Sequence, residues 1–322
     1  MRRIAALAAG LFFAVPAVAE LTVPLPPIEE GGARPAGVLE PYRVAPQVGI
    51  WLDGTEGLLQ AVGRIRKTDK IQPDSYEYRV IKERATEEGR RQLVAAVAQL
   101  RIDDARVVGD DAEAMRRVHA LIAALGPQAV RYQQDLYVEA DVVLPLRGLS
   151  GVLGMILERG TPEISYQNGE PHEGGATGLI VDAGHLDQSN GRLTMALLPR
   201  IVDDAGRVVY DINQVDHDLA RERGMAAYAL EIPTAQAKPA EPQSRIGERP
   251  LRVKALAAGG NAKTDIVIAA ADADRILEAA ATSPFLRDCR VTVLMPSPPP
   301  PPALTRPQRP PQRPPADPNT LH

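Results

Sequence analysis

The chain has 322 residues, of which 44% are hydrophobic, and a formal net charge of −4, which is the length of roughly two domains with apolar material enough to fill both cores. Aromatic residues make up only 4% and Trp51 is the single tryptophan, too few to build a row of stacking platforms for bases or sugars. The near-neutral charge also lacks the basic footprint of a nucleic-acid binder, so no nucleic-acid partner is expected.

The first residues carry Arg2 and Arg3, run apolar from Ile4 to Val15 and reach Ala17-Val18-Ala19 before Glu20. That order predicts a secretory signal peptide over residues 1–19, cleaved after Ala19, and a periplasmic or otherwise exported protein. The apolar run is too short to serve as a stable bilayer anchor. The one cysteine, Cys289, lies far from the cleavage site, so neither a lipid-anchored N-terminus, an intrachain disulfide nor a cysteine zinc cluster is expected. Cys289 stands in RDCRVTVLM at the start of an apolar strand and reads as a buried, inert thiol.

Residues 20–52 are rich in proline and glycine and predict an extended linker, pinned by Trp51 and Leu52 where the first domain begins. Between Asp53 and Pro73, the positions Leu58, Leu59, Val62 and Ile65 suit either a short helix or an amphipathic strand. From Glu77 to Leu100 the periodicity is helical, with Tyr78, Ile81, Ala85, Gly89, Leu93, Ala96 and Leu100 on one face and a solvated charged face that offers Glu87 and Arg91 as an i,i+4 pair. DARVVGD then predicts a short strand. Glu113 to Leu125 repeats the helical pattern and stops at Gly126-Pro127, with His119 on its polar side. In LYVEADVVLPL, Leu136, Val138, Ala140, Val142 and Leu144 alternate with Tyr137, Glu139 and Asp141, which predicts a half-buried strand.

This order of elements resembles the LPP-twenty lipoprotein family and the N-terminal module of the flagellar assembly protein T family. The family's alanine-rich, arginine-containing helix lines up with Ala85 to Leu93. Its closing motif lines up with Leu144-Pro145-Leu146-Arg147-Gly148. The resemblance covers residues 53–158, about a third of the chain, and implies an α+β module at work in the envelope or the motility apparatus. The acylated cysteine of the lipoprotein members has no counterpart here. In the second half, TGLIVDA, PRIVDDAGRVVY, TDIVIAAADADRILEAA and CRVTV resemble segments of uncharacterised secreted bacterial proteins, which implies no activity.

Residues 159–175 are turn-rich and predict a second linker, followed by a second α+β domain over 176–295. Within it, Thr177–Ala183 predicts a buried strand, Leu198–Val202 and Arg207–Tyr210 a hairpin turned by Asp203 to Gly206, and residues 216–229 a helix. LRVKALA and TDIVIAA predict two more strands, joined by a turn at Gly259-Gly260-Asn261. A helix over DADRILEAAATS, with Asp272 or Asp274 at its start as cap, leads to a last strand at CRVTVLM. The tail, residues 296–322, is proline-rich with Arg306, Arg309 and Arg313, and predicts a polyproline-II-like or disordered segment. The expected fold is α+β, two domains each with a mostly antiparallel sheet packed by helices.

Chemistry is sparse. Asp182, His185 and Asp187 are residue types that suit a divalent metal or acid–base work, but a catalytic zinc commonly takes more than one histidine, and His119, His172, His217 and His322 stand elsewhere in the chain. Asp182 as a turn residue, with His185 and Asp187 in a wet loop, is the simpler reading. GLSGVLG and DQSNGR carry neither a nucleophile elbow nor a phosphate loop. No catalytic, metal-binding or cofactor-binding residue is assigned and no cofactor is expected; the loop from Gly184 to Arg192, with Asp182, His185, Asp187 and Arg192, is the candidate contact surface. The expected function is a non-enzymatic structural or assembly factor of the envelope or motility apparatus. Its expected partners are other envelope or motility proteins, a second copy of itself, and peptidoglycan or an anionic surface touched by the tail. The rival expectations are a periplasmic ligand- or glycan-binding module and a metal-dependent hydrolase.

Overall fold

The structure is a computed structural model that describes residues 40–41, 43–47, 50–54, 56–66, 72, 75–133, 137–148, 150–157, 175–186, 191–231 and 245–296. The expected signal peptide, most of the first linker, the second linker as far as residue 174, Asp187 and the tail from residue 297 lie outside them. The fold is α+β. No helix among the described residues is long and apolar enough to cross a membrane.

A two-residue strand, β1 (Glu40–Pro41), pairs into the second sheet. The first sheet is built from β2 (Arg43–Gln47), β3 (Ile50–Asp53), β4 (Leu58–Arg66), β5 (Ala129–Gln133) and β6 (Tyr137–Pro145), in the order β2-β3-β4-β6-β5 and antiparallel throughout. The ambiguous stretch after Asp53 is thus a strand, because Leu59 and Ala61 are buried opposite Leu144 and Val142 in the ladder. Between β4 and β5 come helices α1 (Tyr76–Gln99) and α2 (Ala112–Ala124), close to the predicted spans. Ser75 caps α1 by accepting the Tyr78 amide at 3.0 Å, and Asp111 caps α2 through Ala114 at 2.9 Å, each satisfying an otherwise orphaned N–H. Ala85, Gly89, Leu93 and Ala96 form the buried stripe of α1, and His119 is exposed on α2 as predicted.

Three local expectations in this unit fail. Residues 43–47 and 50–52, expected in the extended linker, form β2 and most of β3, because β3 pairs with β4 and β2 with β3. Glu87 pairs with Arg90 at 3.1 Å, and Arg91 pairs with Glu88, so the i,i+4 pair does not form; Arg90 is held in place because its Nε also donates to the Leu125 carbonyl at 2.9 Å. DARVVGD is a single bridge between Arg101 and Val107 followed by a 3-10 turn over Val108–Asp110. Asp103 Oδ1 accepts the amides of Ala105 and Arg106 and curls the chain before a strand can extend.

The face of β6 opposite α1 carries Glu139 and Asp141, only 3% and 7% exposed. Burial of carboxylates requires partners. Arg131 supplies them with Nη1 and Nη2 at 2.5 and 2.6 Å from the two Asp141 oxygens and Nε at 3.2 Å from Glu139. Arg64 donates to Glu139 at 2.8 Å and lies 5.0 Å over the Tyr137 ring.

After the short α3 (Val152–Ile156) come β7 (Gly178–Asp182), β8 (Ile201–Asp203), β9 (Val208–Tyr210), α4 (His217–Arg223), β10 (Ala226–Glu231), β11 (Pro250–Gly259), β12 (Asp265–Ile268), α5 (Ala270–Thr282) and β13 (Val291–Leu294). The second sheet runs β1-β10-β13-β7-β11-β12-β8-β9. It is mixed and not mostly antiparallel as expected. Strands β10, β13, β7 and β11 are parallel neighbours, and β12 pairs parallel with β8. The physical reason lies in runs such as Gly178–Val181 and Val291–Leu294, which are buried at every position as parallel strands covered on both faces must be.

The predicted 216–229 helix stops at Arg223, because Gly224 turns out at φ 75°, a conformation that costs glycine nothing, and the rest is β10. Neither Asp272 nor Asp274 caps α5. The helix begins two residues earlier than expected, after Ala269, which leaves Asp272 in the first turn against Arg275 and Asp274 against Arg207, both at 2.7 Å. One apolar cluster runs through both sheets, from Leu93, Val142 and Leu144 to Leu179, Val181 and Val293.

Candidate functional site

Because β10, β13, β7 and β11 run parallel, their carboxyl ends gather at one edge of the second sheet, where open α/β sheets place their ligands. The predicted contact loop starts there. Asp182 ends β7, in register with Lys254 and Leu294. Its Oδ1 accepts the Gly184 amide at 3.2 Å and its Oδ2 accepts from Arg252 at 3.1 Å, so it turns the chain as the sequence suggested. His185 is exposed in that turn, and buried Leu186, whose amide reaches the Ala183 carbonyl at 3.0 Å, pins the loop. Asp187 lies outside the described residues. Arg192 donates to the Pro296 carbonyl at 3.3 Å, which brings the far end of the loop to the start of the tail. His217 begins α4 with its Nε2 at 2.9 Å from the Ile212 carbonyl. Among the described residues no group of three or more His, Cys, Asp or Glu side chains is placed to hold a metal ion.

Residues 178–297 match the family model for Treponema pallidum Tp0624, second domain. No curated protein matches the chain. The match starts at the first residue of β7 and takes in every strand of the second sheet but β1. It leaves residues 53–158, the stretch that resembles the LPP-twenty family, outside it, and lends that resemblance no support. The Tp0624-like part contains the whole contact loop and half of a second feature that sequence reading passed over.

That feature is the seam between the first sheet and the Tp0624-like part. Arg147, just past β6, donates from Nη2 to the carbonyls of Gly54 at 3.0 Å and Ala226 at 3.2 Å, one on each side of the seam. Burial, and then the charge of Arg245, hold its pKa down at about 9, with Glu56 and Asp53 acting the other way; it remains a cation at neutral pH. Gly57 and Gly224 pack against its guanidinium, both at positive φ, and a Cβ at either would lie 2.5 or 2.8 Å from Nε. The seam is completed by the Tyr228 amide on the Gly54 carbonyl at 3.1 Å, Gly148 on Arg221 at 2.8 Å, and Leu197 and Leu198 on Arg101 and Ile102 at 2.9 and 2.8 Å. Asp104 accepts the amides of Asn261 and Ala262 at 2.8 and 2.7 Å. A cavity of ≈ 20 Å³ lies beside Arg147, Met195 and Tyr228, room for a single water and far below what a metabolite needs.

Arg245 is a second cation inside the Tp0624-like part. It donates to the carbonyls of Gly224 at 2.9 Å and Cys289 at 2.6 Å, and to that of Arg223. Burial lowers its pKa. The same burial pushes the Cys289 thiol up to about 11 and raises that of Tyr210, whose hydroxyl donates to the Met225 carbonyl at 2.8 Å. Cys289 is buried, as the sequence predicted. The one sequence signal for the seam was the glycines at 54, 57 and 224, whose common neighbour only the folded chain reveals.

Proposed function

We propose that the chain is a non-enzymatic, exported protein of the cell envelope that works as a structural or assembly factor by binding other proteins. The observation that supports this is a two-sheet body tied at its seam by the backbone-directed cation Arg147, with β5 as the terminal strand of the first sheet. An edge strand is a template for pairing with an extended segment of another chain. The signal-peptide sequence supports export to the periplasm, and the resemblance of residues 53–158 to the LPP-twenty and flagellar assembly T modules supports a place in the envelope or motility apparatus. The arginines of the tail suit contact with peptidoglycan or anionic head groups.

The test is a pull-down from periplasmic extract with the full chain, with and without residues 297–322, alongside deletion of the gene. A reproducible envelope or motility partner, together with a motility or envelope defect in the deletion strain, is the expected result. No partner and an unchanged strain overturn the proposal.

A second reading, an envelope ligand- or glycan-binding module, draws on one specific observation. Asp182, His185, Arg252 and Lys254 place exposed or half-buried polar groups at the carboxyl ends of parallel strands. Titration with peptidoglycan fragments that shifts backbone signals at 182–192 favours it; shifts nowhere dispose of it.

A further inference from the structure

The first sheet ends at β5, and among the described residues no strand pairs with its outer side. Ala129 is exposed there, and Val130 and Tyr132 are half-buried. Native proteins guard such an edge with proline, a bulge or a charge aimed at an incoming chain. β5 contains no proline, and its register with β6 runs unbroken from Ala129 to Gln133. Its one charge is turned back into its own sheet, where Arg131 holds both oxygens of Asp141 and one of Glu139.

The two faces of β5 differ, because successive side chains of a strand alternate. Val130 and Tyr132 lie on the α1 side, at the half-buried rim of a small cluster around Ala85, Val138 and Ala140, with the Tyr132 ring 5.9 Å from that of Tyr78. Ala129 and Arg131 lie on the other side. Directly paired residues share a face, so the ladder sets Arg64, Glu139 and Arg131 in one row and Val62, Asp141 and Ala129 in the next. The first row reaches the edge with a positive charge. The second reaches it with a methyl group in front of a negative one.

Those two rows complement each other when the edge meets its own copy. A two-fold axis perpendicular to the sheet pairs β5 antiparallel with β5 of a second chain, the pairing that the first sheet uses throughout. An axis on Arg131 would set two arginines directly opposite, which is unfavourable. An axis on Val130 sets Arg131 against Ala129 of the second copy and, past that methyl group, in line with its Asp141. The row then runs Arg64, Glu139, Arg131, Ala129, Asp141 across two molecules with its charges alternating, and symmetry makes it twice. On the α1 side Val130 meets Val130 of the second copy, so the two small clusters around Ala85 become neighbours, and Tyr132 comes opposite Gln128.

We infer that β5 is the interface of a homodimer, in which two copies pair antiparallel about Val130 and join their five-stranded first sheets into one continuous sheet. The inference rests on the reading of β5 as a pairing edge given above and names its occupant. The rest of the surface is left to envelope partners.

The experiment uses the full chain. Sedimentation equilibrium over a dilution series is expected to show a reversible monomer–dimer equilibrium. Ala129→Arg, a change at an exposed position that sets like charges opposite Arg131 at two places, weakens the dimer about tenfold, whereas the uncharged Ala129→Gln changes it about twofold at most. Val130→Cys forms a disulfide-linked dimer under mild oxidation, because directly paired residues lie within bridging distance and the native Cys289 is buried. Tyr132→Cys, which this register places opposite residue 128, does not. Circular dichroism checks that each variant is folded. A chain that stays monomeric at every concentration overturns the inference. So does a dimer that Ala129→Arg weakens no more than Ala129→Gln, or one linked through Tyr132→Cys and not through Val130→Cys. A monomer that still captures an envelope partner in the pull-down overturns the dimer alone and leaves the envelope role standing.

Discussion

Gly63 and Gly89 meet backbone to backbone where α1 crosses β4. A Cβ on Gly63 would lie 1.8 Å from the Ala85 carbonyl oxygen and 2.4 Å from the Gly89 nitrogen. Neither atom belongs to a flexible side chain, so helix and strand must separate to admit a methyl group. Gly63→Ala is therefore expected to cost on the order of 3 kcal/mol and to lower the melting temperature by roughly 10 °C. Gly126→Ala, where a Cβ meets nothing within 4 Å, serves as the control and stays within a degree or two of the parent, about 0.5 kcal/mol at most. Equal melting of the two variants would show that the close approach is not a constraint.

Arg147 ties the seam through two carbonyls that belong to different sheets. Arg147→Met removes both donors at once, and Arg147→Lys keeps the charge but not the planar fork. Each is expected to lose roughly 1.5–3 kcal/mol of stability, the usual worth of hydrogen bonds from a charged donor. Urea unfolding followed by tyrosine fluorescence and by circular dichroism gives one coincident transition in the parent chain and two separated transitions in Arg147→Met. Coincident curves in the variant would mean that the shared apolar core alone couples the sheets.

The second sheet explains what was legible in the chain and what was not. Every strand of that sheet from β7 to β13 except β10 falls inside or beside a predicted one, because alternation and apolar runs are local. The direction of those strands is not local. TGLIVDA reads as a buried strand whichever neighbour it takes, and its parallel partners, β13 and β11, come from residues more than 70 positions later. The residues of β10 point to helix from sequence because Ala226, Ala227 and Ala229 favour helix on their own, and pairing with β13 overrides that preference. Asp182 is legible as a turn residue because an aspartate that accepts an amide two residues on needs no tertiary context. Arg147 was invisible as a site because its acceptors are backbone carbonyls 93 and 79 residues away.

The Asp104 latch carries a pH signature. Burial acts to raise its pKa, but the amides of Asn261 and Ala262, with the charges of Arg200 and Arg101, leave it below the ordinary 3.8. A carboxylate whose folded pKa is depressed contributes stability that is fully present above the unfolded value and is lost as pH falls through the folded one. The parent chain should therefore melt above Asp104→Asn at about pH 6, and the gap should narrow below about pH 4 as the carboxyl of the parent takes up its proton. A constant gap from neutral to acid pH would show that the latch works by shape and not by charge. The two amides should also exchange with solvent faster in the variant.

Cys289 sits at φ 55° in a short turn before β13, with no exposed surface and its thiol pushed up to about 11 by burial, against the opposing pull of the Tyr210 hydrogen bond and the Arg245 charge. Both the thiolate fraction and the access that a disulfide-exchange reagent needs are therefore small in the folded chain. Labelling at about pH 8 should be slow and should accelerate in proportion to the unfolded population as urea is added. Rapid stoichiometric labelling without denaturant would contradict the burial, and with it the contact of Tyr210 with the thiol. If the rate tracks global unfolding, the thiol is a reporter of the seam as well, because Arg245 holds the Cys289 carbonyl at 2.6 Å and the Gly224 carbonyl beside Arg147 at 2.9 Å. Arg147→Met should then speed Cys289 labelling by the factor that its loss of stability sets, about tenfold for each 1.4 kcal/mol.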